Sequence, residues 1–104
     1  MPGLGDILKQ AQKMKAEMDR LQTEAAGRTV EGSAGGGMVT VVANGKGELL
    51  SVRIDPEAAR GEDLDMLQDL ITAAANDALR KARELLSQEV SRLAGGLGLP
   101  PGLL

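Results

Sequence analysis

The 104-residue chain contains no histidine, cysteine, phenylalanine, tyrosine or tryptophan, although 42% of it is apolar. Each absence excludes a chemistry. Without imidazole or thiol, nothing titrates near neutral pH unless a carboxylate or lysine is strongly shifted, and the strongest metal ligands and nucleophiles are missing. Binding is favoured over turnover, and no catalytic residue, metal site or cofactor is expected. Disulfides are impossible, which removes the stapled secreted scaffolds. A nucleic-acid partner would find no rings to stack on and would have to be gripped through its phosphates. No apolar run approaches the ~20 residues that span a bilayer, and the opening residues lead into a charged helix rather than an apolar leader. The expected compartment is the cytoplasm.

What remains is enough for one domain with a thin core. Thirty residues are Leu, Ile, Val or Met, but another 14 are Ala, whose methyl groups bury little area each. Such a fold gains from covering a face with a second copy. The formal charge of −3 is unevenly spread. Residues 1–30 carry five basic and four acidic groups, residues 48–77 two basic and eight acidic, and residues 78–104 four basic and two acidic. Any attraction for a polyanion is therefore local.

Periodicity predicts an α+β chain: a long N-terminal helix, a three-stranded antiparallel meander and a long C-terminal helix. From Asp6 to about Ala26, the apolar residues Ile7, Ala11, Met14, Met18, Leu21 and Ala25 form a heptad seam, with Asp6 as candidate cap and Gly27 as the stop. Two arrangements satisfy that stripe, packing on the chain's own sheet or pairing across a dimer, and both can hold at different ends. A short β signal at Arg28 to Glu31 precedes Gly32-Ser33-Ala34-Gly35-Gly36-Gly37, which reads as a flexible connection. No Gly-Lys-Ser/Thr follows it, and the next element is a strand rather than a helix N-terminus. Val39, Val41 and Ala43 alternate along the second strand. Asn44-Gly45 then suits positive φ in a tight hairpin, and Leu50, Val52 and Ile54 alternate along the third. Asp55-Pro56-Glu57 is a helix start. The last helix is expected from about Asp63 to Leu93, and Gly95 onward reads as a flexible Gly/Pro/Leu tail, giving a domain at 1–94 and a tail at 95–104.

Several stretches together carry a resemblance. They are Leu8-Lys9-Gln10-Ala11-Gln12-Lys13-Met14, Gly37-Met38-Val39-Thr40-Val41 leading to Asn44-Gly45, and Ser51-Val52-Arg53-Ile54-Asp55-Pro56-Glu57. Asp69-Leu70-Ile71-Thr72-Ala73-Ala74-Ala75-Asn76-Asp77-Ala78 and Leu99-Pro100-Pro101-Gly102 complete the set. In order and at this spacing, the chain resembles the YbaB/EbfC family of bacterial nucleoid-associated proteins. The resemblance implies a homodimer with helices projecting like tweezer arms. It also implies a protein that binds double-stranded DNA with loose sequence preference, altering its conformation and contributing to nucleoid organisation or gene regulation. Carried onto this chain, the family's basic helical surface maps to Lys9, Lys13 and Lys15, and by position to Arg80, Lys81 and Arg83. This copy departs from the family in its longer glycine run and sparse basic groups.

The residues themselves add detail. Lys9 and Lys13 share a face, while Lys15 is turned about 200° from Lys13. The heptad seam and the small residues of the last helix suggest a dimer interface through Met14, Met18, Leu21, Ala74 and Ala78. Two other functions compete. A protein-interaction adaptor would use the same seams and Met14, Met18 and Met66, with DNA binding weak or absent. A carboxylate-metal hydrolase would use Asp63, Asp65 and Asp69, but helix N-termini ordinarily collect acids.

Overall fold

The computed structural model describes residues 3–61 and 63–96. Its elements follow the expected order: α1 (Leu4–Ala26), β1 (Thr29–Ala34), β2 (Val39–Asn44), β3 (Leu49–Ile54), α2 (Pro56–Arg60) and α3 (Leu64–Gly96). The strands form one antiparallel meander in the order β1-β2-β3. Helix α1 begins two residues before Asp6, with Gly3 at the N-cap and no side-chain cap, so Asp6 sits inside the first turn instead of capping it. The Asp-Pro start of α2 does form as expected, the Glu57 N–H donating to Asp55 Oδ1 at 2.9 Å.

Strand β1 runs on through Gly32, Ser33 and Ala34, which the sequence assigns to a loop. Gly32 is a strand residue because α3 lies directly on it: a Cβ there would come within 2.2 Å of Ala78 N and 2.4 Å of Ala74 O. The turn is confined to Gly35, Gly36 and Gly37, whose φ angles of 66°, 65° and 95° favour glycine. The second hairpin is not a two-residue Asn-Gly turn. Gly47 N–H donates to Asn44 O at 3.0 Å and Asn44 N–H to Glu48 O at 2.9 Å, with positive φ only at Gly47, giving a three-residue loop with a bulge. Buried Asn44 holds it by accepting the N–H groups of Lys46 and Glu48 on Oδ1, each at 3.0 Å.

The core lies between α3 and two of the three strands. Val39, Val41 and Ala43 of β2 and Ala74 and Ala78 of α3 are wholly buried, with Leu67, Leu70 and Ile71 around them. An α-helix is ~10 Å wide, while three strands at ~4.8 Å spacing need more cover than that. Helix α3 accordingly shields β1 and β2, and β3 keeps Leu49, Leu50 and Val52 roughly half exposed. The expected burial of the third strand's apolar face therefore fails. A bulge adds to this: Ala43 pairs with Leu49 and Val42 with Ser51, leaving Leu50 as the additional residue.

Beyond the sheet, α3 continues as a straight extension and α1 runs back along it, so the molecule measures 69 × 21 × 18 Å. The helix persists through Gly95 and Gly96, past the point where the sequence suggests a tail; residues 97–104 lie outside the described residues. The small side chains of α3 do admit a close backbone, but it is that of β1. Ala74 and Ala78 lie in the chain's own core, and Leu21 is buried where α1 faces α3. Met14 and Met18 remain half-buried.

Candidate nucleic-acid interface

Two helices form an arm. At its base, Gly45 N–H donates to Ala25 O at 2.8 Å, seating the end of α1 on the second hairpin, and Arg28 bonds Glu89 at 2.7 Å. Farther out, Lys13, Arg20 and Leu21 of α1 face Arg92, Leu93 and Gly96 of α3 across an open cleft. Its bases are matched by Glu17, Glu24 and Glu89, so the cleft is balanced in sign and is no anion cradle. Arg20, for example, bonds Glu17 at 2.6 Å and Glu24 at 2.7 Å, which hold its proton more tightly than usual, Glu17 foremost.

The six basic residues carried over from the resemblance divide into two kinds. Lys9, Lys13 and Arg83 are exposed and have no acid within 4 Å among the described residues. Lys15, Arg80 and Lys81 are already engaged. Lys15 bonds Asp19 at 3.1 Å. Arg80 is forked between Asp77 at 2.8 Å and Glu84 at 2.7 Å. Lys81 lies 3.3 Å from Asp77 and donates to Glu31 O at 2.9 Å. Asp77 is thus the hub, and it also accepts the Ser33 N–H at 3.1 Å. The Arg80 guanidinium above all, then the Ser33 N–H and Lys81, hold its carboxyl below the ordinary Asp range. This hub is visible in the spacing, since Asp77 stands three and four residues before Arg80 and Lys81, and Glu84 four after Arg80.

Exposed ion pairs contribute only about 0–1 kcal/mol each, so a phosphate can displace Asp77 or Glu84 at little cost, but also at little net gain. The unpaired Lys9 and Lys13 lose no partner on meeting a phosphate. They share a face near the arm's tip, and Arg83 lies about 20 Å away along the axis at 1.5 Å per residue. The acids Asp55, Glu57, Asp63, Asp65 and Asp69 gather at the opposite, sheet end. Asp63 Oδ1 accepts the Met66 N–H at 2.9 Å, an N-cap, and no group of three acids converges as a metal site among the described residues.

Comparison with known proteins gives this arm a context. The profile of the YbaB/EbfC DNA-binding family matches residues 1–97. The chain belongs to this family. It is 54% identical over 97 residues to a nucleoid-associated protein of Pelotomaculum thermopropionicum, covering 93% of this chain and 92% of that one. With a nucleoid-associated protein of Acetivibrio thermocellus it shares 52% identity over 106 residues, covering 98% and 94%. The crystal structure of uncharacterized protein HP0035 from Helicobacter pylori superposes with a TM-score of 0.79 at 26% identity, over 89% of this chain and 98% of that one. The YbaB/EbfC fold is thus that of the long N-terminal helix, antiparallel three-stranded sheet and long C-terminal helix described above. The family is a DNA-binding family rather than an enzyme class, and no helix among the described residues is long and apolar enough to cross a membrane.

Proposed function

We propose that this chain acts in the cytoplasm, on the nucleoid, as a homodimer that grips double-stranded DNA through its phosphates with loose sequence preference. In doing so it alters DNA conformation and contributes to nucleoid organisation or gene regulation. The observation that carries this reading is the unpaired Lys9–Lys13 face on a helical arm that projects from the sheet, in a chain belonging to a DNA-binding family. Lys15, Arg80, Lys81 and Arg83 form the second rank of contacts. The chain's charge of −3 does not oppose this, because the Debye length at physiological salt is ~8 Å, the acids Asp55, Glu57, Asp63, Asp65 and Asp69 lie at the far end, and Glu17 and Glu24 of the arm are engaged by Arg20.

Two copies double the cationic set, and the place for the second copy is β3. This edge strand presents unpaired backbone groups together with Leu49, Leu50 and Val52, a combination that solvent leaves unsatisfied. Pairing there leaves both arms free.

Binding to random-sequence duplex, titrated with salt and followed by fluorescence anisotropy, tests the reading. With about six phosphates neutralised per dimer, log affinity should fall with log salt at a slope of roughly −5. Reversal of Lys9, Lys13 and Arg83 to Glu should abolish the interaction while the dimer stays folded. An unchanged affinity would instead favour the adaptor reading, in which the exposed apolar turns at the arm's tip receive a partner helix.

A further inference from the structure

The sheet has two edge strands, β1 and β3, and an edge strand invites pairing with a further strand. These two edges are unlike. Arg28 O accepts the Gly45 N–H at 3.0 Å, and the pairs Val30↔Ala43 and Gly32↔Val41 follow at the hydrogen-bonding interval, so Glu31 and Ser33 turn their backbone groups away from β2. Helix α3 occupies both residues. Asp77 Oδ2 accepts the Ser33 N–H at 3.1 Å, Lys81 Nζ donates to Glu31 O at 2.9 Å, and the two side chains are themselves paired at 3.3 Å. A strand added beside β1 would lie ~4.8 Å from it, and these side-chain atoms stand inside that slot. A side chain as short as Asp reaches the strand because Ala74 and Ala78, each three residues before Asp77 and Lys81, rest directly on Gly32. Along Leu49–Ile54 of β3, by contrast, no side chain among the described residues bonds the backbone.

We infer that Asp77 and Lys81 guard the β1 edge against strand addition by another copy of this chain, so that self-association is confined to β3 and stops at two. The second half of this statement rests on the pairing at β3 proposed above. With β1 open, β3 of one chain meets β1 of the next, a head-to-tail contact that repeats without closing. With β1 guarded, β3 meets only β3, the same patch on both chains, and the assembly closes. The guard is built from α3 itself, so it is in place as soon as the helix docks on Gly32 and needs no partner to form.

Sedimentation velocity of full-length chains across micromolar concentrations tests this. Asp77→Ala with Lys81→Ala should give assemblies larger than those of the unaltered chain, growing with concentration, while circular dichroism retains the helix content. Adding Ser33→Pro removes the N–H that an incoming strand needs and, because that N–H points away from β2, breaks no bond of the sheet. It should return the assemblies to the size of the unaltered chain, which a general loss of stability would not do. Adding Leu50→Asp with Val52→Asp separates the two readings: with β3 blocked, the guarded chain should be single and the unguarded chain should still associate. If the pairing at β3 is itself wrong, Leu50→Asp with Val52→Asp leaves the guarded chain's size unchanged, and the comparison at β1 stands. In the unaltered chain, the Ser33 amide should exchange at least about fivefold more slowly than that of Glu31, each relative to its unfolded rate. Assemblies of unchanged size after loss of both side chains, enlargement that survives Ser33→Pro, or equal exchange at Ser33 and Glu31 would overturn the inference.

Discussion

At the scale of single residues, the fold depends on positions where a hydrogen cannot be replaced by a methyl group. Gly32 is the sharpest. The atoms that an added Cβ would strike are Ala78 N and Ala74 O, backbone atoms of a helix that has no freedom to yield. Gly32→Ala should therefore cost about 3 kcal/mol or more in urea unfolding, as α3 is pushed off β1. Gly36→Ala provides the contrast, because its site is open space and only its φ of +65° opposes the change, at about 1 kcal/mol. Gly32 is illegible in the sequence as a packing residue. It sits in a run of glycines that composition alone assigns to a loop, and only the third dimension separates one contact glycine from three turn glycines. Asn44 is a similar case. Asn-Gly signals a hairpin and the hairpin is there, but the side chain that braces the loop from within replaces the positive φ expected of the pair.

At the scale of elements, the regular repeats were legible and the termini less so. Heptad spacing located α1, alternation located β2 and β3, and the apolar side of α3 from Leu67 to Leu93 faces inward as its 3.6-residue period requires. Which apolar face meets which partner was not legible. Ala74 and Ala78 suit any close backbone, and the sequence does not say that β1 supplies it. For the interface, the basic residues could be named from resemblance, whereas their availability required the acids at i−4, i−3 and i+4. Asp77 is decisive there. Its carboxyl titrates below the ordinary Asp range in the folded chain, so its contribution to stability is complete above that range and is lost as pH falls through the depressed value. Asp77→Asn should lower stability at neutral pH and flatten the acid limb of the stability profile, measured by thermal melts from pH 6 to pH 2. The same change frees Arg80 and Lys81, and duplex affinity at constant salt should rise. Reversing Arg80 alone should cost less affinity than reversing Lys13, because Arg80 gives up two carboxylates to reach a phosphate.

At the scale of the whole molecule, one helix is asked to cover a sheet wider than itself, and the uncovered strand is the edge at which the proposed second copy pairs. Leu50→Asp with Val52→Asp places two charges on the β3 edge without touching the wholly buried core. Sedimentation at micromolar concentration should then show single chains, while circular dichroism retains the helix content. Unpaired charge follows the same axis as shape, with Asp65 and Asp69 at the sheet end and Lys9 and Lys13 toward the arm's tip. The 33 residues of α3 pass without interruption from the core to the cleft beside α1. This continuity makes the helix a lever. From Ala82, the last wholly covered residue over the sheet, to the level of Lys9 is about 27 Å, so a 10° change where α3 rests on β1 would sweep that lysine through ~5 Å. The footing of α3 is fitted to Gly32 at Ala74 and Ala78 and flanked by Leu67, Leu70 and Ile71, so the sheet sets the angle of the lever. Gly32→Ala, which lifts that footing, should therefore displace the far end of the arm as well as loosen the core.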